Sequence, residues 1–203
     1  MLRKSLIATL IIVPALSGCA ITTATTPLTY QSQKNVAALP DAKNVVVNVL
    51  VKNDKKHKRI GSKENGFGMS MASIYAKEPI SQTIEDAIQK GLVARGFGTG
   101  TSGPVIVNAT VKEFHNTFHL GMIEGEAVAR LNMTVAVTTK RGKEIFSKDI
   151  MATGKTGSMI SSGDNAGIAM DRALSAGIES LFDDPAFIQA LFTAEKAGAE
   201  KQG

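Results

Sequence analysis

The chain of 203 residues has one cysteine, no tryptophan, and aromatic residues at only 5%. Each shortage excludes something. A single thiol cannot close an internal disulfide, which rules out a disulfide-stapled scaffold and an all-cysteine zinc site. So few aromatics leave poor platforms for stacking nucleic-acid bases. Charge of one sign is scarce too. The net charge is +5, and Arg3 and Lys4 carry two of those positives, leaving the rest near +3. That bias is too weak for a large phosphate-binding footprint. Long hydrophobic runs are missing as well: none approaches the roughly 20 residues of a membrane-spanning helix. What is plentiful is apolar content, at 43%. That supports a core and argues against global disorder. The length suits one domain.

The one cysteine, Cys19, stands at the end of the first apolar run. Arg3 and Lys4 precede Leu6–Leu16, an apolar run of eleven residues. This is the layout of a secretory signal, with a short positive region ahead of a hydrophobic one. Pro14 and the abrupt change to TTATT disfavour a buried N-terminal helix or strand. Leu16-Ser17-Gly18-Cys19 resembles the lipobox of bacterial lipoproteins, in which the cysteine sulfur takes a diacylglycerol and the leader is cut just before it. Small residues at 17 and 18 suit the scissile bond, and two or three acyl chains give stable anchoring. Ala20 in place of an aspartate points to the outer membrane. The expected partner at this end is therefore membrane lipid, through acyl chains on Cys19.

The organisation follows: residues 1–18 a signal peptide, 19–42 a lipidated N-terminus and flexible tether, 43–194 a single domain, 195–203 a disordered tail. Thr, Ala and polar residues dominate 20–42, with Pro27 and Pro40 as punctuation. The competing expectation is that Leu28–Tyr30 packs on the domain. Asn44–Val51 reads as a first strand, its two-sided apolarity suggesting a central position. Residues 52–75 read as a long loop or extended hairpin carrying a basic stretch, Lys52, Lys55, Lys56, Lys58 and Arg59. Such charge could meet anionic headgroups or an acidic partner. Pro79–Gly96 is an amphipathic helix with Ile84, Ile88 and Leu92 on one face. Strands follow at 105–112, around 126–138 and around 144–157. A second helix spans 165–182, and a short one 186–192. The expected fold is α+β: a two-layer sandwich of one mainly antiparallel four-stranded sheet with two helices on one face, in the order β-α-β-β-β-α.

Chemical motifs are sparse. GTGTSG at 98–103 follows a helix and precedes a strand, the reverse of a dinucleotide-binding order. GKTGS at 154–158 lacks the upstream glycine of a phosphate loop, having Asp149 there. His115 and His119 are four apart on a segment that reads as strand, where extension separates them by about 13 Å. No G-x-S-x-G elbow exists. The reading is a non-enzyme with no cofactor, no metal and no nucleotide or nucleic-acid partner.

Several stretches together resemble the YajG-type family of uncharacterised bacterial lipoproteins. They are the lipobox, IEDAIQKGLVARGFGTGTSGPVIVNATVKEF, the alternating strand Ala127–Val137, the turn Lys140–Lys143 and the late helix Asn165–Phe182. The resemblance implies an outer-membrane lipoprotein facing the periplasm and carries no catalytic residue. The expected role is an interaction or accessory module that binds an envelope protein, with Lys55, Lys56, Lys58, Arg59 and Arg130 as the partner surface. The alternative is a small amphiphile or envelope glycan held in a groove between helices and sheet.

Overall fold

Alternation of apolar residues dictates the central strands. In the computed structural model, which describes residues 22–31, 36–54, 58–120, 125–158 and 160–199, three long strands form an antiparallel meander: β6 (Val105–Leu120), β7 (Gly125–Thr139) and β8 (Glu144–Ser158). Along β7, Ala127, Ala129, Leu131, Met133, Val135 and Val137 are buried on one face. Period two drives this, since every second side chain points to the same side.

In β6 the phase changes midway. Val105 to Val111 are buried at odd positions, then Phe114, Asn116 and Phe118 at even ones. A bulge makes the switch: Val111 stands opposite Met133 and Glu113 opposite Asn132, with Lys112 as the extra residue. One inserted residue keeps both halves of the apolar pattern on the core side.

The sheet has five strands, in the order β5-β2-β6-β7-β8, where β2 is Val46–Asn53 and β5 the short Gly98–Thr99. β2 runs parallel to β6, so the chain must cross over between them. The crossover contains α1 (Ile80–Ala94), stopped by Gly96 at φ +89°, a backbone angle that favours glycine. β2 has a strand on each side, as expected, but one of them is very short. β5 pairs only with Val46 and Val47, and Leu50 is 44% exposed.

A second sheet of three strands is ordered β1-β4-β3: β1 (Ala24–Thr26), β4 (Ser70–Ala76) and β3 (Arg59–Glu64). β3 and β4 form a hairpin, so the extended-hairpin reading of 52–75 describes it better than the loop. The small sheet covers the core side of distal β6. A Cβ at Gly61 would meet the Asn116 carbonyl oxygen at 2.8 Å.

Three helices close the core: α1, α2 (Gly163–Phe182) and α3 (Pro185–Ala199). α2 starts earlier than periodicity suggests, because Ser162 Oγ accepts the Asn165 N–H at 3.2 Å and caps it. α3 is longer than the expected turn and takes in residues 195–199 of the expected tail. Asp184 Oδ1 accepts the Ala186 N–H at 2.8 Å, and Pro185 opens the first turn. The fold is therefore an α+β domain of two sheets and three helices. The expected single four-stranded sheet with two helices is overturned by the small sheet, by β5 and by α3. β1, β5 and α3 pair or pack through contacts distant in sequence.

Part of the expected tether belongs to this fold. β1 pairs in parallel with β4, Ala24 opposite Ile74 and Thr26 opposite Ala76. Leu28 and Tyr30 are buried. Asp171 on α2 accepts the Thr29 N–H at 2.7 Å and the Thr29 hydroxyl at 3.0 Å. Gly163 and Gly167 permit the approach, since a Cβ at Gly163 would stand 2.8 Å from Ala24 Cβ. Cys19 and residues 16–18 lie outside the described residues, as do Lys55 and Lys56.

Candidate functional site

All three helices pack on one face of the five-stranded sheet. The other face of β6–β8 has no layer over it among the described residues. Its polar ladder is organised by cross-strand pairs. Lys112 Nζ meets Asp149 Oδ1 at 2.9 Å, and the Thr134 hydroxyl donates to the same oxygen at 2.5 Å. The Thr134 bond first, then the Lys112 bond, hold the Asp149 carboxyl below its usual range. Lys155 pairs with Glu126 at 3.2 Å. Both pairs are solvent-exposed, so each stabilises the fold only slightly.

Beside this ladder, Arg130 is exposed on β7, with His115 and Thr153 as its cross-strand neighbours. No described hydrogen bond or ion pair engages it. It borders a shallow depression of about 260 Å³ with Glu113, Asn132, Met151 and Thr153. Met151 is 72% exposed. Asn132 Oδ1 is buried with no donor among the described residues. A cation, a soft apolar side chain and an unsatisfied acceptor thus share one small area. The exposed cation beside an exposed methionine suits a partner surface.

Of the expected partner surface, the described members Lys58, Arg59 and Arg130 lie on two faces of the sheet. Lys58 Nζ donates to the Lys77 carbonyl at 3.1 Å, and Arg59 Nε to the Gly61 carbonyl at 3.3 Å, both at the base of the β3–β4 hairpin. That hairpin covers the core side of β6, whereas Arg130 points to the opposite face. Lys58 and Arg59 are therefore separated from Arg130 by the sheet.

Sequence reasoning missed the hairpin tip. Phe67 is 88% exposed, Met69 58% and Met71 41%. The turn beneath them is well tied. Asn65 Oδ1 accepts the N–H groups of Phe67 at 2.9 Å and Met69 at 3.0 Å, and Gly68 sits at φ +76°. The signal was present in ENGFGMSM, where apolar residues lie between turn glycines with no core-facing period.

Among the described residues no group of three or more His, Cys, Asp and Glu could hold a metal ion. His115 and His119 lie along one strand, as their spacing implied. GKTGS continues β8, and Gly154 is buried against α2. The seam between helices and sheet is filled where a ligand groove was considered: Gly91 lies against the Phe182 ring and Gly177 against Leu131. The larger depressions, of about 390 to 440 Å³, lie at the rims of α1, α2 and β2. No described helix is long and apolar enough to cross a membrane.

No curated protein matches the sequence. Among solved structures, a Xanthomonas campestris protein of the family DUF330 superposes with a TM-score of 0.50 at 10% identity, over 90% of this chain and 99% of that one. An uncharacterised protein gives 0.45 at 9% identity, over 76% and 97%. A minor lipoprotein from Acinetobacter baumannii gives 0.32 at 12% identity, over 77% and 92%. The first of these likenesses speaks to the fold alone. The model of a family of uncharacterised lipoproteins, Lipoprotein_16, matches residues 32–191, and the chain belongs to that family.

Proposed function

We propose that the protein is a lipid-anchored, non-catalytic interaction module of the bacterial envelope. Acyl chains on Cys19 hold it in the outer membrane, its domain faces the periplasm, and an envelope protein docks on the open sheet face around Arg130. The likeness to YajG-type lipoproteins belongs to the same reading. The observation that carries it is Arg130, which pairs with no described residue, beside exposed Met151 on a face that no described helix covers. Buried interface centres favour such cation and methionine anchors. Lys58 and Arg59 have no part in that contact.

The test is a photocrosslinking side chain placed at Met151 in cells, with the same group at exposed Val93 on α1 as the reference. A discrete product from position 151 that is absent from 93 and lost with Arg130→Glu is the expected result. Identical products from both positions, or indifference to Arg130→Glu, would show that the open face is not the docking surface.

A further inference from the structure

The β3–β4 hairpin exposes an apolar tip that the fold does not use. Phe67, Met69 and Met71 point outward while the core-facing side of β4, Ala72, Ile74 and Ala76, is fully employed. The turn is held by Asn65 and Gly68, so the exposure of Phe67 is not a by-product of a loose loop. The hairpin reaches towards the far end of β6, where Gly61 lies against Asn116.

The direction of β1 ties this tip to the N-terminal end of the chain. β1 is parallel to β4, with Ala24 opposite Ile74. Going backwards from Ala24, the described chain heads for the tip. Cys19 lies five residues before Ala24, and Met69 five before Ile74. Five residues span at most about 18 Å, and five residues of strand cover about 17 Å. The anchoring residue therefore has just the reach to come level with Met69 and little more. Lys58 and Arg59 sit at the other end, since Arg59 is opposite Tyr75, five residues of strand from Glu64.

We infer that the tip formed by Phe67, Met69 and Met71 enters the interface of the bilayer that holds the lipid anchor. This rests on the reading of Cys19 as lipidated. The anchor is strong but leaves the domain free to turn. The tip is a second contact that sets which end faces the lipid. The contact is apolar: Lys63 and Glu64 beside the tip offset each other, and the cationic hairpin base is held away. Binding of the tip is therefore insensitive to anionic lipid content, unlike a polybasic contact.

The chain has no tryptophan, so Phe67→Trp supplies a single reporter in the full mature lipoprotein. The protein is reconstituted in phosphatidylethanolamine and phosphatidylglycerol vesicles containing brominated phosphatidylcholine, with Val93→Trp as the reference. The expected result is a blue-shifted indole in Phe67→Trp that is quenched by the brominated chains, as an interfacial aromatic is, while the indole of Val93→Trp is not quenched. The quenching stays the same when phosphatidylglycerol is omitted. A mass measurement of the mature N-terminus is made on the same sample. An acylated Phe67→Trp chain whose indole is untouched by brominated lipid, or is quenched only in the presence of phosphatidylglycerol, overturns the tip contact and leaves the anchor standing. A chain without acyl groups overturns the anchor and the tip contact with it.

Discussion

Replacing Gly154 by alanine puts a methyl group into the backbone of a helix. Gly154 faces the core from β8, and a Cβ there would collide with the Ala169 carbonyl oxygen and the Ala173 nitrogen of α2, with Arg172 Cβ at 2.8 Å. None of these atoms can swing away, so α2 has to retreat by roughly 1 Å across a close-packed seam. Overpacking of this kind costs about 1–3 kcal/mol, and an obstruction made of backbone places it near 3. For a domain of this size that is a fall in Tm of about 6–12 °C. Gly177→Ala is the matched comparison. Its Cβ would crowd the Leu131 Cδ2 methyl, at 2.7 Å, and stand at ordinary distances of 3.5 Å from Ala152 Cβ and 3.7 Å from Ile150 Cγ2; the Leu131 methyl can rotate, and alanine gains about 1 kcal/mol of helix propensity. Thermal unfolding followed by circular dichroism separates the two. If Gly154→Ala melts within about 2 °C of wild type, the helix does not rest on the strand backbone, and the packing argument is wrong.

Other expectations concern the clamps. Asp171→Ala removes both bonds to Thr29 and exposes residues 22–31 to protease, at a stability cost of about 1 kcal/mol for this partly exposed site. Limited proteolysis with N-terminal sequencing reads it. Burial raises the Asp171 carboxyl above its usual range against the pull of the two Thr29 bonds. Its contribution is present at low pH and is lost as pH rises through that raised value. Wild type should therefore gain on Asp171→Asn in urea melts as pH falls from about 6 towards 4. Asp184 has the opposite sign. The Lys148 bond at 2.7 Å, then the Ala186 N–H, hold its carboxyl low. Its contribution is present above the ordinary carboxylate range and is lost as pH falls through the depressed value. Lys148→Met should move its NMR titration midpoint upward, and an unchanged midpoint would refute the pairing.

Helix α1 and strand β7 were readable from the sequence because their information is local. Ile84, Ile88 and Leu92 repeat at helical spacing, and Ala127 to Val137 alternate without a break. The small sheet was not readable in the same way. β1 is three residues long and finds β4 about fifty residues later, and no period within TTATT announces a strand. β3 carries Lys63 and Glu64 and takes its place from β4 and β6 rather than from its own apolarity. α3 looked short because its first two turns hold most of its large apolar residues, while Ala190 and Ala194 are buried without advertising it. The open face was partly legible: Arg130 and its polar neighbours alternate with the core residues of β7. Met151 and Asn132 gained meaning only when β8 was set beside β7. Lys58 and Arg59 drew attention by density of charge, yet they bond to carbonyls at the base of the hairpin.

The pairing of β1 with β4 also bears on how the domain searches for a partner. As a free coil, the 23 residues of 20–42 would separate their ends by about 26 Å, whereas the four residues between Cys19 and Ala24 manage about 11 Å. The accessible volume shrinks roughly tenfold, and the local concentration felt by a neighbour on the same membrane rises by the same factor. On the proposed anchoring at Cys19, a domain clipped this closely is suited to meeting partners that diffuse in the same bilayer. A partner fixed across the periplasm has to span the gap itself.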